Sequence, residues 1–131
     1  YHINQVIDLM VGTGTAVGAG KSNTSAMVSA MGTSHAYGMY YATTPITNYA
    51  AMACAAYHGG GYDGWFLPSI DELDLMSRNL YGQGLGGLSW DLYWSSSEFD
   101  PYKAWSFAFQ SGSHYSYARW YTSRIRPVRA F

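Results

Sequence analysis

An α+β domain is what this sequence predicts, on three observations. Between Ser69 and Leu80, apolar residues recur at helical spacing behind a capping signal. After Trp90 the spacing shortens, and Trp105, Phe107 and Phe109 alternate with Ser106, Ala108 and Gln110. Thirteen of the last 42 residues are aromatic, a composition suited to strands. The order is therefore a strand, then helices, then antiparallel strands, in one domain spanning 1–131.

Each element has a local reason. Residues 3–11 are β-branched and apolar enough for an opening strand. A glycine-rich stretch runs from Gly12 to Gly20. Asn23 and Thr24 are residue types that cap a helix, here one running to Met31 and stopped by Gly32. Residues 33–44 read as irregular. Thr44 and Pro45 then form a cap-then-first-turn signal for a helix over 46–57, Ala-rich, apolar nearly all round and hence buried. His58 and the glycines at 59–61 end it. Residues 64–67 make a short apolar strand. Ser69 and Glu72 form a capping box, and Ile70, Leu73, Met76 and Leu80 give the following helix its core face. The glycines at 82, 84, 86 and 87 make a loop. Ser111, Gly112 and Ser113 mark a hairpin turn, after which Tyr115, Tyr117 and Arg119 share one face. Ile125 and Val128 close the chain in β structure, with Pro127 marking an edge or a bulge.

Composition excludes several function classes. The 131 residues carry 11% charged and 18% aromatic side chains and a net charge of -1. A disordered chain would reverse those proportions. One cysteine cannot make a disulfide framework, and no apolar run approaches the ~18 residues of a membrane span. All eight acids lie at or before Asp100, while five of the seven bases follow it. Those five are separated by aromatics and proline, so the near-neutral chain reads as one whose strand arginines pair with its own acids, with no nucleic acid as partner.

The chemical motifs are mostly incomplete. Residues 15–22, TAVGAGKS, nearly spell a phosphate-binding loop, but Thr15 stands where the pattern requires glycine and no magnesium-binding acid follows an apolar run. His2, His35, His58 and His114 lie too far apart for a zinc spacing. Asp63, Asp91, Glu98 and Asp100 sit in or near loops without forming a calcium-loop pattern. Ser95, Ser96 and Ser97 lack a nucleophile elbow and read as a serine network at a strand edge. Cys54 lies on the Ala-rich helix and reads as a buried small hydrophobe. No catalytic residue, metal or cofactor is expected from these motifs.

Four segments taken in order carry a resemblance: GYDGWFLPSIDELDLM (61–76), YWSSSE (93–98), AWSFAF (104–109) and RIRPVRAF (124–131). Together they resemble the bacterial C-type-lectin-like domains of the Lcl C-terminal family, related in fold to the formylglycine-generating enzyme. GAGKSNTSAMVSAMG (18–32) is similar to that family's glycine, Asn-Thr and short-helix segment. The resemblance implies a C-type-lectin-like fold: two main helices beside a twisted antiparallel sheet with long irregular loops. It implies Trp94, Trp105 and Phe107 in the core, and Trp65, Leu67 and Pro68 anchoring the capped helix. Arg126, Pro127 and Arg129 would close the last strand. It also implies a ligand surface near the C-terminal strands, on a domain of a larger protein displayed at a cell surface, outside the cell or on a phage particle. The calcium-dependent sugar triplets are absent, Asp100-Pro101-Tyr102 being the nearest analogue. The enzyme's cysteine pair is absent too, so a non-enzymatic binding domain is expected.

Some such domains are variable proteins of diversity-generating retroelements, in which asparagine codons are mutagenised at adenines. Between Phe99 and Ser123 the chain has no Asn and is rich in the accessible products. The expected contact residues for a protein or glycan ligand are Phe99, Asp100, Tyr102, Ser106, Ser111, Ser113, His114, Tyr115, Tyr117, Trp120, Tyr121 and Ser123. Ser116 is also compatible with diversification; Lys103, Trp105, Gln110 and Trp120 are not. Tyr and Trp give rigid amphipathic area at small entropic cost, whatever the history of the segment. The competing expectation is a structural or adhesive surface-lipoprotein module with no diversified site.

Overall fold

The computed structural model describes the strand His2–Ile3 and residues 10–31, 49–119 and 121–130. The Gly32 stop, the irregular segment 33–44, the Thr44–Pro45 signal and Trp120 lie outside the described residues. The architecture is α+β. Three α-helices are described where two main ones were expected: α1 (Gly20–Met31), α2 (Ala50–Ala55) and α3 (Ile70–Asn79). The strands are β1 (His2–Ile3), β2 (Trp65–Phe66), β3 (Leu92–Glu98), β4 (Lys103–Ala108), β5 (Ser113–Ala118), β6 (Ser123–Arg124) and β7 (Val128–Arg129). Five form a sheet in the order β1-β6-β3-β4-β5, while β2 and β7 pair separately. The larger sheet is mixed rather than wholly antiparallel, because β6 runs parallel to β3 with Tyr93 opposite Arg124. No helix among the described residues is long and apolar enough to cross a membrane.

Local chemistry explains α3 fully. Ser69 stays extended, its hydroxyl accepts from the Glu72 amide, and the Glu72 carboxylate accepts from the Ser69 amide at 2.7 Å. Ile70 and Leu73 are buried, each such side chain contributing roughly 1.5–3 kcal/mol. The other helices depart from expectation. α1 begins at Gly20, so Asn23 and Thr24 lie inside it and cap nothing. Both are buried and bonded to distant chain: Thr24 accepts from Leu67 N at 2.9 Å, and Asn23 donates to Ser96 Oγ. Tyr49 is extended, so α2 starts at Ala50 and ends at Ala55; of the expected 46–57, residues 46–48 lie outside the described residues and 56–57 are not helical. Of the expected 3–11 element, Ile3 is strand, residues 4–9 lie outside the described residues, and residues 10–11 are not strand. Pro127 stands where the chain passes from β6 in one sheet to β7 in the other, not within a strand.

Two clusters sandwich the central strands. Trp94 and Ala104 pack with Met27, Met31, Ala51, Cys54 and Leu67, on the side of α1 and α2. Tyr93, Phe107 and Phe109 pack with Ile70 and Leu73, on the side of α3. Alternation along β4 suggested one buried face; both are covered, which is why Ser106 is inaccessible.

Candidate functional site

Pairing register sorts the expected contact residues. In an antiparallel ladder, directly opposed side chains share a face. Tyr117 lies opposite Ala104 and Tyr115 opposite Ser106, which puts both tyrosines on the α1/α2 side of the sheet. His114 lies opposite Phe107 and therefore on the α3 side. The grouping of His114 with the tyrosines is thus divided by one residue of register.

The tyrosines form a row. Tyr115 and Tyr117 have ring centroids 6.2 Å apart, and Tyr117 and Tyr121 are 6.3 Å apart. Tyr117 is half-buried against the core, while Tyr115 and Tyr121 are 42% and 55% exposed. Tyr102 is also exposed, and its carbonyl accepts from Arg119 N. Among the described residues β5 has one sheet neighbour, β4, which leaves its outer edge facing this surface. On the α3 side, Phe99 meets Trp105 edge to face at 4.9 Å, and His114 lies 6.1 Å from the same indole. Trp105 is half-buried where it was expected in the core.

The remaining expected residues divide plainly. The Asp100 carboxylate accepts from Tyr102 N and Lys103 N at 2.7 Å, so it closes the β3–β4 turn. Ser111 is exposed and Ser113 half-buried at the hairpin, where Gly112 takes a positive φ of 67°. Ser106 and Ser123 are buried and are removed from the contact set. Ser106 Oγ has no hydrogen-bond partner among the described residues. Its hydroxyl costs desolvation and returns nothing, so Ser106→Ala should leave stability unchanged or raise it by up to about 1 kcal/mol. A drop in the urea midpoint would contradict that assignment.

Glu98, which the sequence places in or near a loop, ends β3 opposite Ala104 and so shares the sheet face of Tyr117. Glu98 accepts from the amides of Val11, Gly12 and Thr13 at 2.9–3.0 Å and from the Thr13 hydroxyl at 3.1 Å. Arg119 pairs with it at 3.4 Å, both side chains almost wholly buried. Burial pushes the Glu98 carboxyl up, but the Thr13 and Val11 amides, the Arg119 charge and the Thr13 hydroxyl together hold it below the usual range. Arg119 also donates Nε to Lys103 O at 3.1 Å, tying the pair to the start of β4. The same glycine-rich segment is held further along by Glu72, which accepts from Gly18 N at 2.9 Å. Within the phosphate-loop-like string 15–22, the Gly18 amide is taken by the chain's own Glu72 carboxylate, an anion where such a loop would hold a ligand's.

The other candidates have structural employment. Ser95 donates to Trp105 O at 2.7 Å, and Ser97 Oγ accepts from Ile70 N at 3.0 Å, in keeping with a serine network. Cys54 is fully buried, and burial pushes its thiol up to about 12, where it is an unreactive packing residue. Arg124 pairs with Asp91, and Arg129 lies 4.4 Å over the Tyr62 ring. Among the described residues, no three His, Cys, Asp or Glu side chains converge to hold a metal ion. Compared with models of known protein families and with curated proteins, the chain matches none of them.

Proposed function

We propose that this is a non-enzymatic ligand-binding domain of C-type-lectin type that uses the tyrosine side of β5 to grip a protein or glycan. Display at a bacterial cell surface or on a phage particle belongs to the same reading. The observation that carries it is the row Tyr115, Tyr117 and Tyr121, with two rings open to solvent and the middle one seated on the core. Such rings are typical binding hot spots because they bury much area and lose little freedom. Retroelement diversification fits the exposed positions Tyr102, Ser111, His114, Tyr115 and Tyr121 better than buried Ser106 and Ser123. In sibling gene copies, substitutions should gather at the exposed set and spare the buried pair.

Screening a glycan array and a displayed library of bacterial surface-protein fragments tests the reading. Wild type and Tyr115→Ala/Tyr121→Ala are compared side by side. A specific hit should weaken at least about tenfold in the variant, equivalent to about 1.4 kcal/mol, with an unchanged melting temperature. Hits that bind both proteins equally would place the site elsewhere.

A further inference from the structure

A second surface, on different residues, carries its own chemistry. A cleft of about 790 Å³ opens between the end of α2, Trp65 of β2, the loop before β3 and the segment 124–127. That volume lies within the roughly 300–1,000 Å³ of small-molecule sites. One wall is aromatic: Tyr57 meets Trp65 edge to face at 5.0 Å. The indole is fixed because its Nε1–H donates to Tyr62 O at 2.9 Å. Ser89 and Tyr93 supply two hydroxyls 3.2 Å apart.

The charge in the cleft is unbalanced. No Asp or Glu is among its lining residues. Arg124 is matched by Asp91. Arg126 donates to the Gly87 carbonyl at 2.8 Å and pairs with no carboxylate among the described residues. The guanidinium is a planar fork with five donors, and one carbonyl leaves most of them for a ligand. A fixed aromatic wall beside an unneutralised guanidinium, in a concave site, suits a flat apolar body ending in a carboxylate.

We propose that this cleft binds a small carboxylate with an aromatic body, Arg126 taking the carboxylate and Tyr57 and Trp65 taking the ring. The site stands apart from the tyrosine row. β6 and β5 are separated by β3 and β4, three strand spacings or about 14 Å.

Indole-3-acetate and the uncharged indole-3-ethanol are suitable probes, followed by NMR titration of the whole chain. The acid should shift the Trp65 indole N–H, Ser89 and residues 124–126, and bind about tenfold more tightly than the alcohol. Arg126→Gln should erase that preference while the spectrum of α3 stays unchanged. Arg126→Lys keeps the charge and loses the fork; it should weaken the acid and leave the alcohol unaffected, which guards against a folding failure in the first variant. Tyr117→Ala should bind the acid as wild type does, so failure of the tyrosine reading is distinguishable from failure here. Absence of saturable shifts at millimolar acid, equal binding of acid and alcohol, or competition by inorganic phosphate at equal concentration would overturn the proposal.

Discussion

Glu98→Gln should lower the stability of the domain by about 3 to 5 kcal/mol in urea titrations at pH 7, the usual cost of removing one member of a buried ion pair. The substitution leaves the Arg119 charge buried without its counterion. It also turns a donor NH2 toward Val11 N and Arg119, where the carboxylate oxygen had accepted. Replacing Arg119 as well should not fully restore stability, because the Val11 amide would still face the introduced amino group instead of an acceptor. The pH dependence has a definite sign. The folded carboxyl is held below its ordinary value of 4.5, so its contribution is complete above that pH and disappears as pH falls through the folded value. Wild type should therefore lose stability below about pH 4.5, while Glu98→Gln should give a flatter profile there. A variant as stable as wild type at pH 7, or with the same acid slope, would contradict the role assigned to Glu98.

Gly20→Ala should cost about 2 to 3 kcal/mol, although alanine is the better helix former. A Cβ at Gly20 would lie 3.0 Å from both Leu67 O and Ser69 N and would collide with the Glu72 carboxylate. The two backbone atoms belong to the β2–α3 junction and cannot rotate away. Gly14 is the control, since a Cβ there meets only Ala19 Cβ at 3.5 Å, an ordinary contact. Gly14→Ala should stay within about 0.5 kcal/mol of wild type. Equal melting temperatures for the two variants would show that Gly20 is not a packing contact. Both glycines fall in the glycine-rich stretch from Gly12 to Gly20, and only Gly20 is in close contact with other backbone.

What could be read from the sequence follows the range of the interactions. α3 was legible because Ser69 and Glu72 satisfy each other three residues apart. The start of α1 was not, because Asn23 and Thr24 look like caps but hold Ser96 and Leu67, 73 and 43 residues away. Glu98 had no local signature, since its amide partners are 85 to 87 residues distant. Alternation on β4 revealed Phe107 but not that helices cover the opposite face too. At the candidate site, the shared face of Tyr115 and Tyr117 was legible from period two. The same rule separates His114 from them, and register confirms it. The side on which the tyrosines stand depends on α1 and α2, which no local pattern around them records.

The closing strands also govern the order in which the molecule can be made. β1 at His2–Ile3 pairs with β6 at Ser123–Arg124, and β7 alone pairs with β2. Both partners sit in the last nine residues of a 131-residue chain. During synthesis, the hairpin of β4 and β5 can form from neighbours alone, but neither described sheet is complete until residues 123–129 have left the ribosome. Contacts of such long sequence separation are slow to form. The nascent domain therefore waits with Trp65 and Tyr93 lacking their partners Arg129 and Arg124 until those residues emerge.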